Sequence, residues 1–467
     1  MIFKPTVSGF MQKMRILAKV VLIVLVVVLI THAVLMASMK KGLDRKLAEL
    51  KARHEPLTYA ELAPKPVPED QNGASLYLDA YAVCFAATKP PSNYMVLGEL
   101  LGTQKSSITK PEEIEPQAQE ILAKCDTAIA YVKEAQKRHH CVFPIDWNKG
   151  FETQFPHTSK LRRISEILAA KAVIDAKDNN LDKVTEDVVL GIRMSDSVSS
   201  EPALISLLCR QSCIRKTLTG FRIVLEDHRL SEDQAHSIYD ELAKIDLQPQ
   251  YEIVMKGERI AGNDVFYKMR GCGDVPYWWV SMAASGDFCF PNFTMENTNI
   301  FEKGLASLAS YAWRPVSYED QRIYNDLIDK EISMISLPYR DLIKLPNIRG
   351  PKHAVTSNIL LAPVSRITCS RDEVYANTGL AQAAAATMAY RDKFGSYPAS
   401  LKDLKSHLGW KIPADPFSGK PFIYKREKSG FLVYSIGANL KDDGGKPQPP
   451  GKSSDSGNYD IAWKISK

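Results

Sequence analysis

An unbroken apolar run, Val20 to Ile30, constrains this chain more than any other feature, and the apolar character continues to about Met39. About twenty such residues span the hydrocarbon core of a bilayer. Thr31 and His32 are the only polar interruptions before Ser38. The alternative is a cleaved signal peptide, whose cleavage site takes small residues at alternate positions. The candidate site ending at Ala37 has the large Leu35 two residues earlier, so the run reads as an uncleaved anchor.

The flanks of the run carry the chain's whole charge imbalance. No Asp or Glu precedes Asp44, whereas Lys4, Lys13, Arg15, Lys19, Lys40 and Lys41 all do. These six account for the net charge of +6, because from Gly42 onward 54 basic residues face 54 acidic ones. The excess belongs to the leader, and composition points away from a nucleic-acid partner. Cations lie on both sides of the run. A plain count favours a body kept inside, whereas a short basic N-terminus followed by one apolar run has the form of an N-in signal anchor with an exported body. The second reading is adopted. Residues 1–19 are then a basic cytoplasmic leader and residues 20–39 the transmembrane helix.

Leu43, Leu47 and Leu50 continue as a short amphipathic stub, and Pro56, Pro64, Pro66 and Pro68 then break helical structure. Residues 40–70 therefore read as a stub and a semi-rigid spacer. From 71 to 349 the apolar period is helical. One stripe runs through Ala118, Ile121, Leu122, Cys125, Ile129 and Val132, a second from Leu161 to Ile174, a third through Val184, Val188 and Ile192, and a fourth from Leu204 to Phe221. Asn179-Asn180 reads as a C-cap, and Ser231 with Gln234 as a capping box opening a further helix. Short polar turns between such helices favour antiparallel neighbours. An aromatic-rich loop occupies 271–297, either packed over the helices or presented as a binding surface. Cys272 and Cys289 flank it, as a disulfide in an exported body or as two free thiols. Cys209 and Cys213, at i and i+4 in an apolar helix, read as core thiols.

Residues 350–467 change character. Ala376 to Phe394 is Ala-rich and helical, and Gly395 and Pro398 stop it. Phe422–Lys425 and Phe431–Ile436 read as paired strands, and the alternation of Tyr459, Ile461, Trp463 and Ile465 marks a third. The expected fold class is mainly α: a transmembrane helix, an antiparallel helical body, and a C-terminal α+β module of one helix on a small antiparallel sheet.

The C-terminal quarter carries a specific order of residues: Tyr390-Arg391, Gly395-Ser-Tyr-Pro398, Ser400-Leu401, Pro413-Ala-Asp-Pro416, Gly419-Lys-Pro421, Tyr424 and Tyr434-Ser-Ile-Gly437, then Asp442-Asp-Gly-Gly445 and Asp460-Ile461. In this it resembles the globular part of the major pseudopilin of bacterial type II secretion. The middle of the chain, through Glu201-Pro-Ala-Leu-Ile-Ser206 and Gly257-Glu-Arg259, is similar to uncharacterised anchored proteins of planctomycete-like bacteria. Gly9-Phe10 matches the start of a prepilin processing motif, but Met14 stands where that motif has Glu, and a helical body separates the apolar run from the pilin-like fold. The resemblance therefore implies a borrowed module on an anchored protein. It also implies calcium in the loop before the last strand, with Asp442, Asp443, Asp455 and Asp460 as carboxylate donors. The alternative is a solvated acidic turn without an ion.

No H-E-x-x-H, G-x-S-x-G or phosphate-cradling glycine loop occurs. Ser107-Ile-Thr-Lys110 matches S-x-x-K, a pattern short enough to arise by chance. His139-His140 beside Cys141 suggests a metal, but neighbours on a helix point about 100 degrees apart, and a polar helix end accounts for them. No catalytic residue is assigned. The expectation is a non-enzymatic envelope protein of the inner membrane, its bulk periplasmic, its partners the membrane and other envelope proteins. The alternative is an anchored hydrolase with its site in the helical domain.

Overall fold

The computed structural model describes residues 7–89, 91–104, 110–271, 300–361, 363–447 and 457–466. The architecture is mainly helical, with a long apolar N-terminal helix and a three-stranded antiparallel sheet near the C-terminus. Ser107, Cys272, Cys289, Asp455 and nearly all of the aromatic segment 271–297 lie outside the described residues.

The chain divides into two compact units, each built from separated segments. One comprises 1–58, 259–330 and 348–361; the other comprises 59–258, 331–347 and 362–467. The sequence suggested consecutive blocks at 71–349 and 350–467 instead. The difference arises because two long helices, Gln248–Gly271 and Ile300–Met334, each contribute residues to both units.

In the first unit, one helix runs without a break from Val7 to Ala52. From Ile16 to Leu35 its large apolar side chains are exposed all round, between 45% and 62%. Beyond Met36 the pattern changes to a stripe: Leu43 and Leu50 are buried, and Lys46 between them pairs with Asp326 and Asp329, each at 3.0 Å. What looked like a free stub is thus packed into the unit. Arg259, 1% exposed, reaches Asp329 at 2.9 Å and Glu55 at 2.6 Å. Burial pushes the Asp329 carboxyl up, but hydrogen bonds from Arg53 and Lys46 outweigh it and hold the group below the usual carboxylate range. His32, inside the apolar helix, stacks on Tyr311 with ring centroids 4.6 Å apart.

The second unit is a set of packed helices. Pro156–Lys177 lies against both Leu181–Ser195 and Leu204–Asp227, and Glu232–Ala243 lies against Val364–Phe394. The expected single stripe at 117–135 is two helices, Pro111–Ala123 and Asp126–Ala135, parted at Lys124-Cys125. Asn179 closes its helix with φ of +57°, and the Ser231–Gln234 capping box is reciprocal. Within the supposed spacer, Tyr59 is buried beside Trp147.

The sheet belongs to this second unit. β1 (Ile423–Arg426), β2 (Gly430–Ser435) and β3 (Ile461–Ser466) pair antiparallel in that order, with Val433 opposite both Tyr424 and Trp463. The helix behind it is Ala-rich for a reason of space: Ala381 and Ala383 to Ala386 are fully buried, and a Cβ on Gly379 would meet the Phe422 ring at 2.6 Å. Trp463 and Ile465 point into the core, and Trp463 meets Phe221 of Leu204–Asp227 edge-on at 6.1 Å. Tyr375 donates to Asp246, and Arg215 donates to Ser370 at 2.9 Å. The C-terminal segment therefore shares its core with the helices of 204–247 rather than standing apart.

Candidate functional site

The loop from β2 to β3 is organised by its own acids. The Oδ1 of Asp442 accepts the Tyr434 hydroxyl at 3.0 Å and the Gly444 N–H at 2.9 Å. Asp443 Oδ2 accepts from Asn439 at 2.7 Å. Asp460, 1% exposed, takes the N–H of Asp443 at 3.3 Å on one oxygen and that of Gly445 at 2.7 Å on the other. Gly444 and Gly445 have φ of +81° and +86°, a conformation that glycine adopts without strain, and this turns both amides toward the acids. Burial pushes the Asp460 carboxyl up, the two amides pull it down, and the charges of Asp443 and Asp442 push it up again, with a net rise. The Tyr434 phenol, partly desolvated and bonded to Asp442, is raised to about 12.

The donor set fits a hard cation in part. Among the described residues Asp442 and Asp443 each keep one carboxylate oxygen without a hydrogen bond, and their charges already act on Asp460. Calcium asks for six to eight oxygens. Among the described residues no group of three or more His, Cys, Asp or Glu is placed to hold a metal, so backbone carbonyls or Asp455 would have to complete the shell.

Asp415 works the same way one turn earlier. Its carboxylate accepts the N–H of Phe417 at 3.1 Å, the N–H of Ser418 at 3.2 Å and the Ser435 hydroxyl at 2.6 Å. This bond ties Pro413-Ala-Asp-Pro416 to Tyr434-Ser-Ile-Gly437. Tyr424 donates to the Pro398 carbonyl at 3.1 Å, and Arg391 to the Tyr397 hydroxyl at 2.7 Å. The residues quoted for the pseudopilin resemblance are therefore joined to one another. Asp415-Pro416 is a turn signal in the sequence, whereas Asn439 as a loop organiser is visible only in the structure, its sequence signal being the Gly-Ala-Asn turn.

The two sequence patterns of the helical region also meet. Glu201 faces His157 at 3.1 Å and accepts the Ser206 hydroxyl, all three nearly inaccessible, with Phe143 stacked on His157 at 4.2 Å. Glu258 accepts the N–H of Leu204 at 3.3 Å, and burial raises its carboxyl. Gly257 leaves room for the Pro202 carbonyl, which a Cβ there would meet at 1.8 Å. These groups start and seat the helix Leu204–Asp227.

The remaining candidates are dispersed. His139 and His140 are exposed, and His140 pairs through its backbone with Gln71 and Gly73. His236 packs on Trp410 at 5.0 Å. Cys209 and Cys213 are buried in the helix interior. No protein-family model, curated protein or solved structure matches the chain.

Proposed function

We propose that the chain is a single-pass, membrane-anchored bacterial envelope protein, non-enzymatic, whose helical body and pseudopilin-like module bind other envelope proteins on the far side of the inner membrane. The observation that carries this reading is the all-round exposure of apolar side chains from Ile16 to Leu35. A helix apolar on every face needs an apolar solvent, and this stretch has the length of a bilayer core. Retention of the segment is supported by His32, which cleavage near Ala37 would take away from Tyr311.

The non-enzymatic reading rests on how the buried and half-buried polar groups are used. Glu201 and Glu258 serve a helix start, Asp415 and Asp460 serve turns, and Arg259 joins Glu55 to Asp329. A hydrolase needs such groups to converge on a space that substrate can enter. In the acidic loop, calcium would bind through the free oxygens of Asp442 and Asp443 and offset their repulsion of Asp460.

A reporter that fluoresces only in the cytoplasm, fused after Lys467, stays dark on this reading; a bright fusion overturns the orientation. Extraction in mild detergent, with co-purifying proteins identified by mass spectrometry, tests the binding role. A chain recovered without partners would remove it.

A further inference from the structure

The second unit carries a cation-rich cleft that no sequence pattern announces. It has a volume of about 450 Å³, within the usual range for small-molecule sites. Its aromatic wall is Tyr81, Phe85 and Tyr94, and its cations are Arg162, Arg163 and Lys216. Ser159 and Ser212 add hydroxyls. Four helices contribute: Ala74–Ala87, Pro91–Leu100, Pro156–Lys177 and Leu204–Asp227.

The charge is segregated. The body from Gly42 onward has 54 basic and 54 acidic residues, yet among the described residues no acid lines this cleft. Two further ammonium groups sit on its walls, Lys89 over the Phe85 ring at 4.3 Å and Lys160 over the Tyr81 ring at 5.4 Å. The carboxylate behind the wall, Glu166, is 1% exposed and is spent on positioning: it accepts from both the Tyr94 hydroxyl and Lys216. Arg163 is fixed as well, 3.8 Å over the Tyr94 ring and donating to Thr88. The side chains of Arg162 and Ser212 make no hydrogen bond or ion pair among the described residues. Like charges gathered around a concave surface repel one another and concentrate anions from solution.

Charge arithmetic selects the anion. Three lining cations less the Glu166 carboxylate leave two positive charges, and Lys89 and Lys160 on the walls raise the excess further, so an anion of at least two charges is favoured over one of a single charge. A phosphomonoester carries close to two negative charges near neutral pH, and Arg with hydroxyl donors suits its oxygens. A phosphodiester or a carboxylate carries one. Tyr81 and Phe85, stacked one helical turn apart with centroids at 5.7 Å, provide a flat wall for a ring beside the charged end. We propose that this cleft binds a phosphomonoester of a ring-bearing small molecule, with Arg162, Arg163 and Lys216 on the phosphate and Tyr81 and Phe85 on the ring.

The test is calorimetry on the full chain in maltoside detergent, with phenyl phosphate, inorganic phosphate and methyl phenyl phosphate as probes. At about pH 7.5, phenyl phosphate binds most tightly, and the monoanionic diester, which stands in for most lipid headgroups, is weaker by about tenfold or more. Arg162→Ala lowers phenyl phosphate affinity by a similar factor while leaving the melting temperature unchanged, since its exposed side chain supports nothing. Phe85→Ala brings phenyl phosphate down to the level of inorganic phosphate and leaves the latter as it was. No heat with millimolar phenyl phosphate, undiminished binding by the Arg162 variant, or a diester that binds equally well each overturn the proposal.

Discussion

Replacing Gly257 by Ala reverses the sign expected of that change. In a helix interior, Ala is favoured over Gly by about 1 kcal/mol, because it loses less backbone freedom. At Gly257 the new Cβ would lie 1.8 Å from the Pro202 carbonyl oxygen and 2.9 Å from its carbonyl carbon. Both are backbone atoms, and both sit at the start of Leu204–Asp227, so relief requires the two helices to separate. Overpacking of this kind costs about 1–3 kcal/mol. Separation also stretches the 3.3 Å bond from the Leu204 N–H to half-buried Glu258, a further ~1–3 kcal/mol if it is lost. Net of the propensity gain, Gly257→Ala is destabilising by about 1–5 kcal/mol. Urea unfolding of the detergent-solubilised chain, followed by tryptophan fluorescence, measures it. Gly42→Ala is the control: its Cβ meets nothing closer than the Arg322 side chain at 3.6 Å, and it should stabilise by about 0.5–1 kcal/mol. A Gly257→Ala midpoint at or above the parent's would refute the argument from close approach.

Glu331 is buried and accepts the Val364 N–H at 3.2 Å, and burial raises its carboxyl to about 8. The unfolded chain releases that proton near pH ~4.3, so this group favours folding fully below that pH and loses its effect as pH rises toward 8. Glu331→Gln, which cannot titrate, should therefore raise the unfolding midpoint more at pH 8 than at pH 5; an equal shift at both would place the carboxyl elsewhere. Trp463→Ala should cost about 3–5 kcal/mol, because the ring is 3% exposed and packs on Phe221; a change within error would mean that β3 is mispaired. Calcium should raise the melting temperature of the chelator-stripped full chain, Asp443→Ala should abolish that response, and magnesium should substitute poorly. If millimolar calcium leaves melting unchanged, the acidic loop is a solvated turn.

Local patterns carried the element assignments. The stripes of 161–174, 184–192 and 204–221 lie within observed helices, as does Ala376 to Phe394, because one apolar face per helix is a property of neighbours in the chain. The caps at Asn179 and Ser231 and the three strands were readable for the same reason: φ preference, side-chain reach over three residues and period-two alternation are local. Hydropathy located the apolar helix but not the point at which residues exposed all round give way to protein-facing ones. Met36 to Leu50 differs from the preceding stretch through what it touches, namely Asp326 and Asp329, 280 and 283 residues from Lys46.

The two compact units, the seat of Trp463 on Phe221, the joining of Pro202 to Gly257 and the cation cleft belong to tertiary structure alone. Each depends on residues far apart in sequence, and no spacing rule reaches across such distances. The cleft is the clearest case. Tyr81, Tyr94, Arg162 and Lys216 lie on four helices, and each taken singly is an ordinary surface or half-buried residue. Their shared charge exists only because helix packing sets them around one space, with Glu166 buried behind two of them. The sequence by itself determined the long apolar helix, the other helices, their caps and the small sheet, since these follow from side-chain chemistry within a few residues. Which faces meet, and so what the protein can bind, was decided by packing between distant segments.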